Sequence, residues 1–359
     1  MADTRVGAAE LQTFATQVFV ALGLPPADAA LEAEVLVWAN LRGIDSHGVQ
    51  RIAEYARQIE AGHMNPRPAI RVLRETPSLA LVDGDWALGP VVTVFAVDCA
   101  VEKARRTGVG WAVIRNTMHQ GAMGYYTERI AAAGMAGIAL ASNRPNMAPT
   151  GARVPGVHNS PISIAVPRRG GPPLDLDMAT SVAAFGKIQV AVDADTAIPP
   201  DWGMDETGTV TTDPRRVRTL LPAGHYKGYG LALLFECLTS LLAGNPLLLP
   251  RAGGDEVRPG AQNSTVAAID IAAVTAADAY AAQVDELVET MHRLPLAAGA
   301  REVLVPGERE ERVRRERLRD GIPLPAGTVA KLRAAAERFQ LALPAACRAT
   351  ACSRPGSAP

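Results

Sequence analysis

The sequence predicts an α/β protein preceded by a helical N-terminal region, and three observations carry that prediction. Apolar residues recur at helical spacing through the first sixty positions. From about residue 70, short β-rich runs alternate with helical stretches. Clusters of Gly, Pro and Asn punctuate the two patterns. Hydrophobic residues make up 48% of the 359, enough for a large buried core, and a chain of that length favours two or three lobes.

Leu11, Phe14, Val18 and Leu22 share one face of a first helix, which Pro25-Pro26 ends. Leu31, Val35, Trp38 and Leu41 line a second. A third starts at Asp45 or Ser46, either of which is a good N-cap, and continues with helical spacing from Arg51. The run Gly62-His63-Met64-Asn65-Pro66 marks a change of character, so residues 1–70 form the helical region. Strands are expected at 79–82 and 110–114 with an apolar helix over 90–106 between them. A helix over 123–133 and a strand at 137–142 follow. Further strands are expected at 162–166, 174–177 and 266–271, and helices at 182–192, 226–243 and 276–292. Residues 71–293 are therefore the central α/β domain, and the alternation alone points to a parallel, doubly wound sheet. Residues 294–342 carry a strand-like run at 302–305, a highly charged helix and an amphipathic helix over 326–340. From 343 to 359 there is no periodicity, and the segment reads as a disordered tail.

Composition narrows the function. Thirty-six basic and thirty-seven acidic residues leave a net charge of −1, and the basic positions are scattered apart from the mixed run at 308–319, which argues against nucleic acid as a partner. No apolar run is long enough to span a membrane and no basic-then-apolar leader opens the chain, so a cytoplasmic protein with no membrane partner is expected. Cys99, Cys237, Cys347 and Cys352 show no ligand spacing and no HExxH occurs, so the thiols suit a reducing compartment and no metal is expected.

The densest chemistry lies in Gly43-Ile44-Asp45-Ser46-His47-Gly48-Val49-Gln50-Arg51. On a helix begun at Asp45 or Ser46, His47 and Arg51 project from one face of the first turn, where free N–H groups and the dipole favour an anion. Arginine grips a carboxylate through two parallel hydrogen bonds, and an imidazole moves a proton near neutral pH. The pair fits a small carboxylic acid with a reactive atom beside its carboxylate. It also fits a capped surface helix with a solvated His and Arg.

No GxGxxG follows a strand and no GxxxxGK[ST] occurs, which sets aside an ordinary Rossmann or P-loop site. Four other turns let a ligand approach the backbone. The first runs from Asn116 to Tyr126 past Gly121, Ala122 and Gly124, with His119 at its mouth. The second is Asp177-Met178-Ala179-Thr180-Ser181, followed by Gly186-Lys187. The third is Gly224-His225-Tyr226-Lys227-Gly228, and the fourth Val305-Pro306-Gly307-Glu308. Plainer readings stand beside each: a tight turn with a partly buried His119, a helix capped by Thr180 or Ser181, an exposed lysine at 187. Gly228 and Gly230 open an apolar helix at a cost of roughly 1 kcal/mol each relative to alanine, which suggests close packing or close ligand approach.

Taken in order, these stretches resemble the malate/L-lactate dehydrogenase family that is unrelated to the Rossmann-type lactate and malate dehydrogenases. That family also includes ureidoglycolate, sulfolactate and 2,3-diketogulonate oxidoreductases and the piperideine/pyrroline-2-carboxylate reductases. The resemblance runs from about residue 8 to 340. It takes in Tyr55, Gly62-His63 with Asn65-Pro66, and the run from Ser160 to Pro167. Ile198-Pro199-Pro200-Asp201-Trp202 and Thr211-Thr212-Asp213-Pro214 extend it, and Lys227-Gly228-Tyr229-Gly230-Leu231 adds to it.

The resemblance implies a nicotinamide-binding domain with its own mixed or mostly antiparallel sheet, in place of the doubly wound one. It implies that the 294–342 segment packs with the N-terminal region, and that the protein is a homodimer with active sites near the dimer interface. The implied cofactor is NAD or NADP, and the implied substrate a small carboxylate. By position, Ser46 and His47 resemble the proton-transfer pair and Arg51 the carboxylate-holding residue. His119, Gln120, Gly121, Ala122, Met123, Asp177, Met178, Ala179, Lys227, Pro306, Gly307 and Glu308 resemble cofactor-binding positions. Gly186 and Lys187 fall where some relatives touch substrate, and His119 is the alternative proton carrier. One departure stands out. Many relatives read Gly-Thr-Asn-Pro where this chain reads Val157-His158-Asn159-Ser160-Pro161, which puts Asn159 near the substrate-touching threonine.

The expected activity is hydride transfer between nicotinamide and C2 of a 2-hydroxy/2-oxo acid. The alternative is NADPH-dependent reduction of a cyclic imine carboxylate such as piperideine- or pyrroline-2-carboxylate. A Ser/His hydrolase at Ser46-His47 is disfavoured because neighbours on a helix start rarely reach one another and no GxSxG exists. A non-catalytic dinucleotide sensor is the remaining class.

Overall fold

The structure, a computed structural model, describes residues 4–193, 195–249 and 257–348. The chain divides into two compact units: one takes it up to Arg67 and again from Glu308 onward, the other is Pro68–Gly307. Residues 294–307, grouped above with the C-terminal segment, fall in the central unit.

The first unit opens with β1 (Thr4–Val6), α1 (Ala8–Ala21) and α2 (Pro26–Leu41). Leu11, Phe14 and Val18 of α1 and Val35 of α2 are buried as their spacing predicts, while Leu22, Leu31, Trp38 and Leu41 are half-buried. No single helix starts at Ser46. Two 3-10 turns, Asp45–His47 and Val49–Arg51, precede α3 (Ile52–Glu60), with Gly48 extended between them at φ −91° and ψ −160°. Arg51 stands at the N-cap of α3, and no side chain caps it.

The central unit carries β2 (Arg71–Glu75), β3 (Leu79–Ala87), α4 (Gly89–Thr107), β4 (Val109–Thr117), α5 (Gly124–Ala132) and β5 (Met135–Ser142). It continues with β6 (Pro161–Val166), β7 (Leu174–Ala179), α6 (Phe185–Asp193), β8 (Gly203–Met204) and β9 (Thr219–Leu220). α7 (Tyr226–Glu236) runs into a π turn, Cys237–Leu241, and is followed by β10 (Gln262–Asp270) and α8 (Ala277–His292). The run at 302–305 forms no strand. The chain then returns to the first unit as α9 (Glu308–Asp320), β11 (Ile322–Leu324), α10 (Ala326–Phe339) and α11 (Ala345–Arg348), and β11 pairs antiparallel with β1. α11 lies in the stretch expected to be irregular: its Ala345 N–H donates to Glu10, and Cys347 is buried. The rest of that tail lies outside the described residues.

The large sheet has the order β2-β3-β4-β10-β5-β6-β7. Only β3 and β4 run parallel, joined across α4; every other neighbouring pair is antiparallel. The sheet is thus mixed and mostly antiparallel, and the doubly wound arrangement fails because β10 arrives from far along the chain and inserts between β4 and β5. α4 and α5 pack directly onto this sheet. A Cβ on Gly110 of β4 would stand 1.8 Å from the Ala100 carbonyl of α4, and one on Gly137 of β5 would stand 2.9 Å from Ile130 of α5. A second apolar cluster, built on Met147, Val157, Ile188, Ile198, Val217 and Leu220, holds the irregular segments around α6 and β9.

These contacts predict opposite outcomes for two glycines. Gly110→Ala overpacks the α4–β4 seam and should lower stability toward the upper end of the roughly 1–3 kcal/mol seen for such changes. Gly230→Ala in α7, where a Cβ meets nothing within 4 Å, should raise it by about 0.5–1 kcal/mol. Thermal unfolding of both variants checks the pair.

Candidate active site

In the 45–47 turn the Ser46 Oγ lies 2.9 Å from the His47 Nδ1. The two neighbours therefore do meet, contrary to the expectation for adjacent helical residues, because the segment is not α-helical. The turn owes its shape to Asn40 of α2. A Cβ on Gly48 would collide with the Asn40 amide, its nearest atom at 2.2 Å, so only glycine fits there. Asn40 is buried; it accepts from the Val49 N–H at 2.8 Å and donates to the Asp45 carboxylate at 2.6 Å. Arg51 donates through Nε to the Ser46 carbonyl at 2.7 Å, which ties the guanidinium to the peptide carrying His47. His47 and Arg51 are thus neighbours without sharing a helical face. Burial, followed by the Arg51 charge, lowers the His47 pKa to about 4, so the ring is neutral at pH 7. On α2, Glu32 is fully buried, neither carboxylate oxygen has a hydrogen-bond partner, and burial raises its pKa to about 8.

In the central unit, the turn after β4 presents His119 half-buried, with the Gly121 N–H donating to its Nδ1 at 3.3 Å. Gln120 points inward. Its Nε2 donates to Thr93 Oγ1 at 2.6 Å and Ser264 Oγ at 2.8 Å, and its N–H donates to the Gln262 side chain at 3.1 Å. The Tyr126 hydroxyl donates to its carbonyl. Thr93 gives its own proton to the Gly89 carbonyl at 2.7 Å, so only an N–H can face it from Gln120. A Cβ on Gly89 would stand 2.3 Å from the His119 carbonyl. Gln120 bolts the turn to α4, α5 and β10 through its Nε2, N–H and carbonyl, while its buried Oε1 has no hydrogen-bond partner. Ala122 and Met123 are buried as well, which leaves His119 and Gly121 as the accessible members of the turn.

Asp177 of β7 accepts from the Gly124 N–H at 2.8 Å, so the N-terminus of α5 faces a carboxylate of its own chain. Asp175 projects from the same side of the strand, is buried, and accepts from Ser163 at 3.1 Å and Thr127 at 3.4 Å. Its N–H meets the Pro306 carbonyl at 3.5 Å, and Gly307, at φ +88°, lies against its backbone. The 119–124, 177–179 and 306–307 stretches are therefore drawn together around β7. Asp175 went unnoticed in the sequence, although Asp-x-Asp on a strand was the available signal. Met178 points to the opposite side of β7 and is exposed.

Thr180 and Ser181 do not cap α6, which starts at Phe185. Ser181 instead donates to the Ala183 carbonyl at 2.8 Å and accepts from Asn159 at 3.3 Å. Asn159 is clasped on its other side by Asn146, its N–H donating at 2.8 Å and its Oδ1 accepting at 2.9 Å. The Thr180 carbonyl accepts from Ala223 and would meet a Cβ on Gly228 at 2.2 Å, so the Lys227 turn is held against 177–181. Lys187 and Lys227 are exposed, Gly186 and Ala179 half-buried, and Glu308 is the first residue of α9 in the other unit. His158, beside Ser160, has a pKa lowered by burial to about 3. The donors suit a dinucleotide: the Asp177 carboxylate could accept from sugar hydroxyls, Lys227 could meet a phosphate, and Gly121 and Gly307 admit close approach.

The malate/L-lactate dehydrogenase family profile matches residues 6–333. The chain belongs to that family. The malate dehydrogenase of Pyrococcus abyssi is 36% identical over 334 residues, covering 89% of this chain and 91% of that protein. The structure of the sulfolactate dehydrogenase of Methanocaldococcus jannaschii superposes with a TM-score of 0.86 at 33% identity, covering 94% of this chain and 98% of that one. That of the Δ1-piperideine-2-carboxylate reductase of Pseudomonas syringae gives 0.81 at 27% identity over 92% and 99% of the two chains. As a malate/L-lactate dehydrogenase family member, the protein is an oxidoreductase.

The two lowered imidazoles set a pH dependence. Folded His47 and His158 titrate near 4 and 3, against 6.5 ordinarily, so between about 6.5 and 4 the unfolded chain binds more protons. Stability should therefore fall as pH drops through that window. Melting curves of His158→Asn should show a shallower decline than wild type; an equal decline would return His158 to ordinary titration.

Proposed function

We propose that the chain catalyses hydride transfer between NAD or NADP and C2 of a small 2-hydroxy or 2-oxo acid, with His47 as the proton carrier. When bound, the nicotinamide supplies or accepts the hydride. The observation that carries the reading is the partner on each histidine's Nδ1. Proton exchange at Nε2 requires Nδ1 to keep its own proton in both charge states, and the Ser46 hydroxyl can accept it throughout. The Gly121 N–H only gives, so protonating His119 at Nδ1 would set two N–H groups against each other. His47 accepts the substrate hydroxyl proton at Nε2 during oxidation and returns it during reduction. Its lowered pKa keeps it ready as a base, and an acid carboxylate held by Arg51 offsets the charge that lowers it.

The same residues serve reduction of a cyclic imine carboxylate, which the likeness to the piperideine-2-carboxylate reductase favours as the second reading. A panel of 2-oxo acids and amine-generated cyclic imines, followed by nicotinamide absorbance with each cofactor, separates the two. In the same assay His47→Ala should lower kcat by about 10²–10⁴ and leave dinucleotide affinity unchanged. Arg51→Ala should raise KM for the acid by about 10- to 150-fold, the equivalent of 1.5–3 kcal/mol. An unaltered kcat in His47→Ala, with loss in His119→Asn, would reverse the two histidines.

A homodimer belongs to this reading. Leu234 and Leu242, on the α7 arm, and Ile164, Leu176 and Met178, on one side of β6 and β7, are exposed, an amount of apolar surface that favours a second copy. Light scattering should give a dimer for the wild type and a monomer for Leu234→Glu; an unchanged mass would remove α7 from the interface.

A further inference from the structure

We infer that Arg317 is a positioning residue for the Ser46–His47 pair, acting through Asp45 and Asn40; this rests on the reading of His47 as the proton carrier. α9 is a charged helix whose arginines mostly face outward: the side chains of Arg314, Arg315 and Arg319 are 41%, 72% and 74% exposed and pair with acids on the same helix or its end. Arg317 is 12% exposed and turns inward. Its two terminal nitrogens donate to the two Asp45 oxygens at 2.6 and 2.9 Å, a bidentate clamp, and one of them also donates to the Asn40 carbonyl. The Asp45 carboxylate accepts from the Asn40 amide as well, so three side chains from α2, the 45–47 turn and α9 lock together.

Asp45 is the residue before Ser46, and its carbonyl is held by Gln50 at 2.6 Å. No α-helical ladder passes through the 45–49 segment, so these contacts, together with the turns' own backbone bonds and the Asn40 amide on the Val49 N–H, set the direction in which Ser46 and His47 leave the backbone. Losing the clamp loosens the frame that holds the Ser46–His47 hydrogen bond. A misplacement of about 1 Å costs about 10²-fold in rate. Lysine cannot replace the arginine, because a point charge cannot hold both oxygens. The clamp is built wholly from residues of the first unit, so its loss is expected to change proton transfer and not dinucleotide affinity.

The test uses the whole chain carrying Arg317→Lys or Arg317→Ala. Arg317→Lys and Arg317→Ala should lower kcat about 10- to 100-fold with the dinucleotide KM unchanged. They should also shift the ring ¹⁵N resonances of His47, identified by their loss in His47→Gln. Millimolar ethylguanidinium should restore part of kcat in Arg317→Ala and none in His47→Ala. Wild-type His47 resonances in the Arg317 variants overturn the inference, whether activity is kept or is lost together with Tm. A His47→Ala enzyme with normal kcat would instead overturn the proton-carrier reading, while the resonances still judge the clamp.

Discussion

The chemistry assigned to this chain depends on one short contact, the Ser46 hydroxyl against the His47 ring. A proton carrier must change charge without losing its orientation, so the ring nitrogen that does not react needs a partner that suits both charge states. A hydroxyl can rotate and serve both. The rest of the first unit reads as support for that contact: Gly48 makes room for Asn40, Asn40 shapes the turn, and Arg51 anchors on the Ser46 carbonyl. Placing this machinery in a non-helical segment has a reason. On one continuous helix the Ser46 and His47 side chains would diverge by about 100°.

The central unit solves a different problem. A turn that approaches a ligand with bare backbone has little side-chain packing to keep it still. Gln120 supplies that rigidity from behind, reaching α4 and β10 through its amide and receiving Tyr126 on its carbonyl. Glycines at 89, 110 and 137 let the helices and the sheet close to near backbone contact. The residue types that look like ligand contacts in a motif therefore divide between presenting and bracing.

Much of this was legible in the sequence where periodicity was long. The α4, α5, α8 and α10 helices and strands β3 to β7 stand near their expected places. Partner order was not legible, because β10 pairs with strands more than a hundred residues earlier and no local pattern encodes that choice. β2 was missed because all five of its residues are exposed, so it shows no alternation. The third helix was misplaced because the extended backbone at Gly48 answers to Asn40, a tertiary contact, and overrides a good N-cap sequence. The motif at 43–51 was read on one helix, and the structure divides it between two 3-10 turns. Gln120 shows the converse: motif position suggested a ligand contact, and only packing reveals a brace.

β7 carries its acids at odd positions and its exposed aliphatics at even ones, with a neighbour on one edge only. Parity is thus a conserved quantity of this strand. Slipping it by one residue against β6 would aim carboxylates at the aliphatic side and leucine at the α5 N-terminus, so both jobs would fail at once. Length changes can survive here in steps of two, or in the loops on either side.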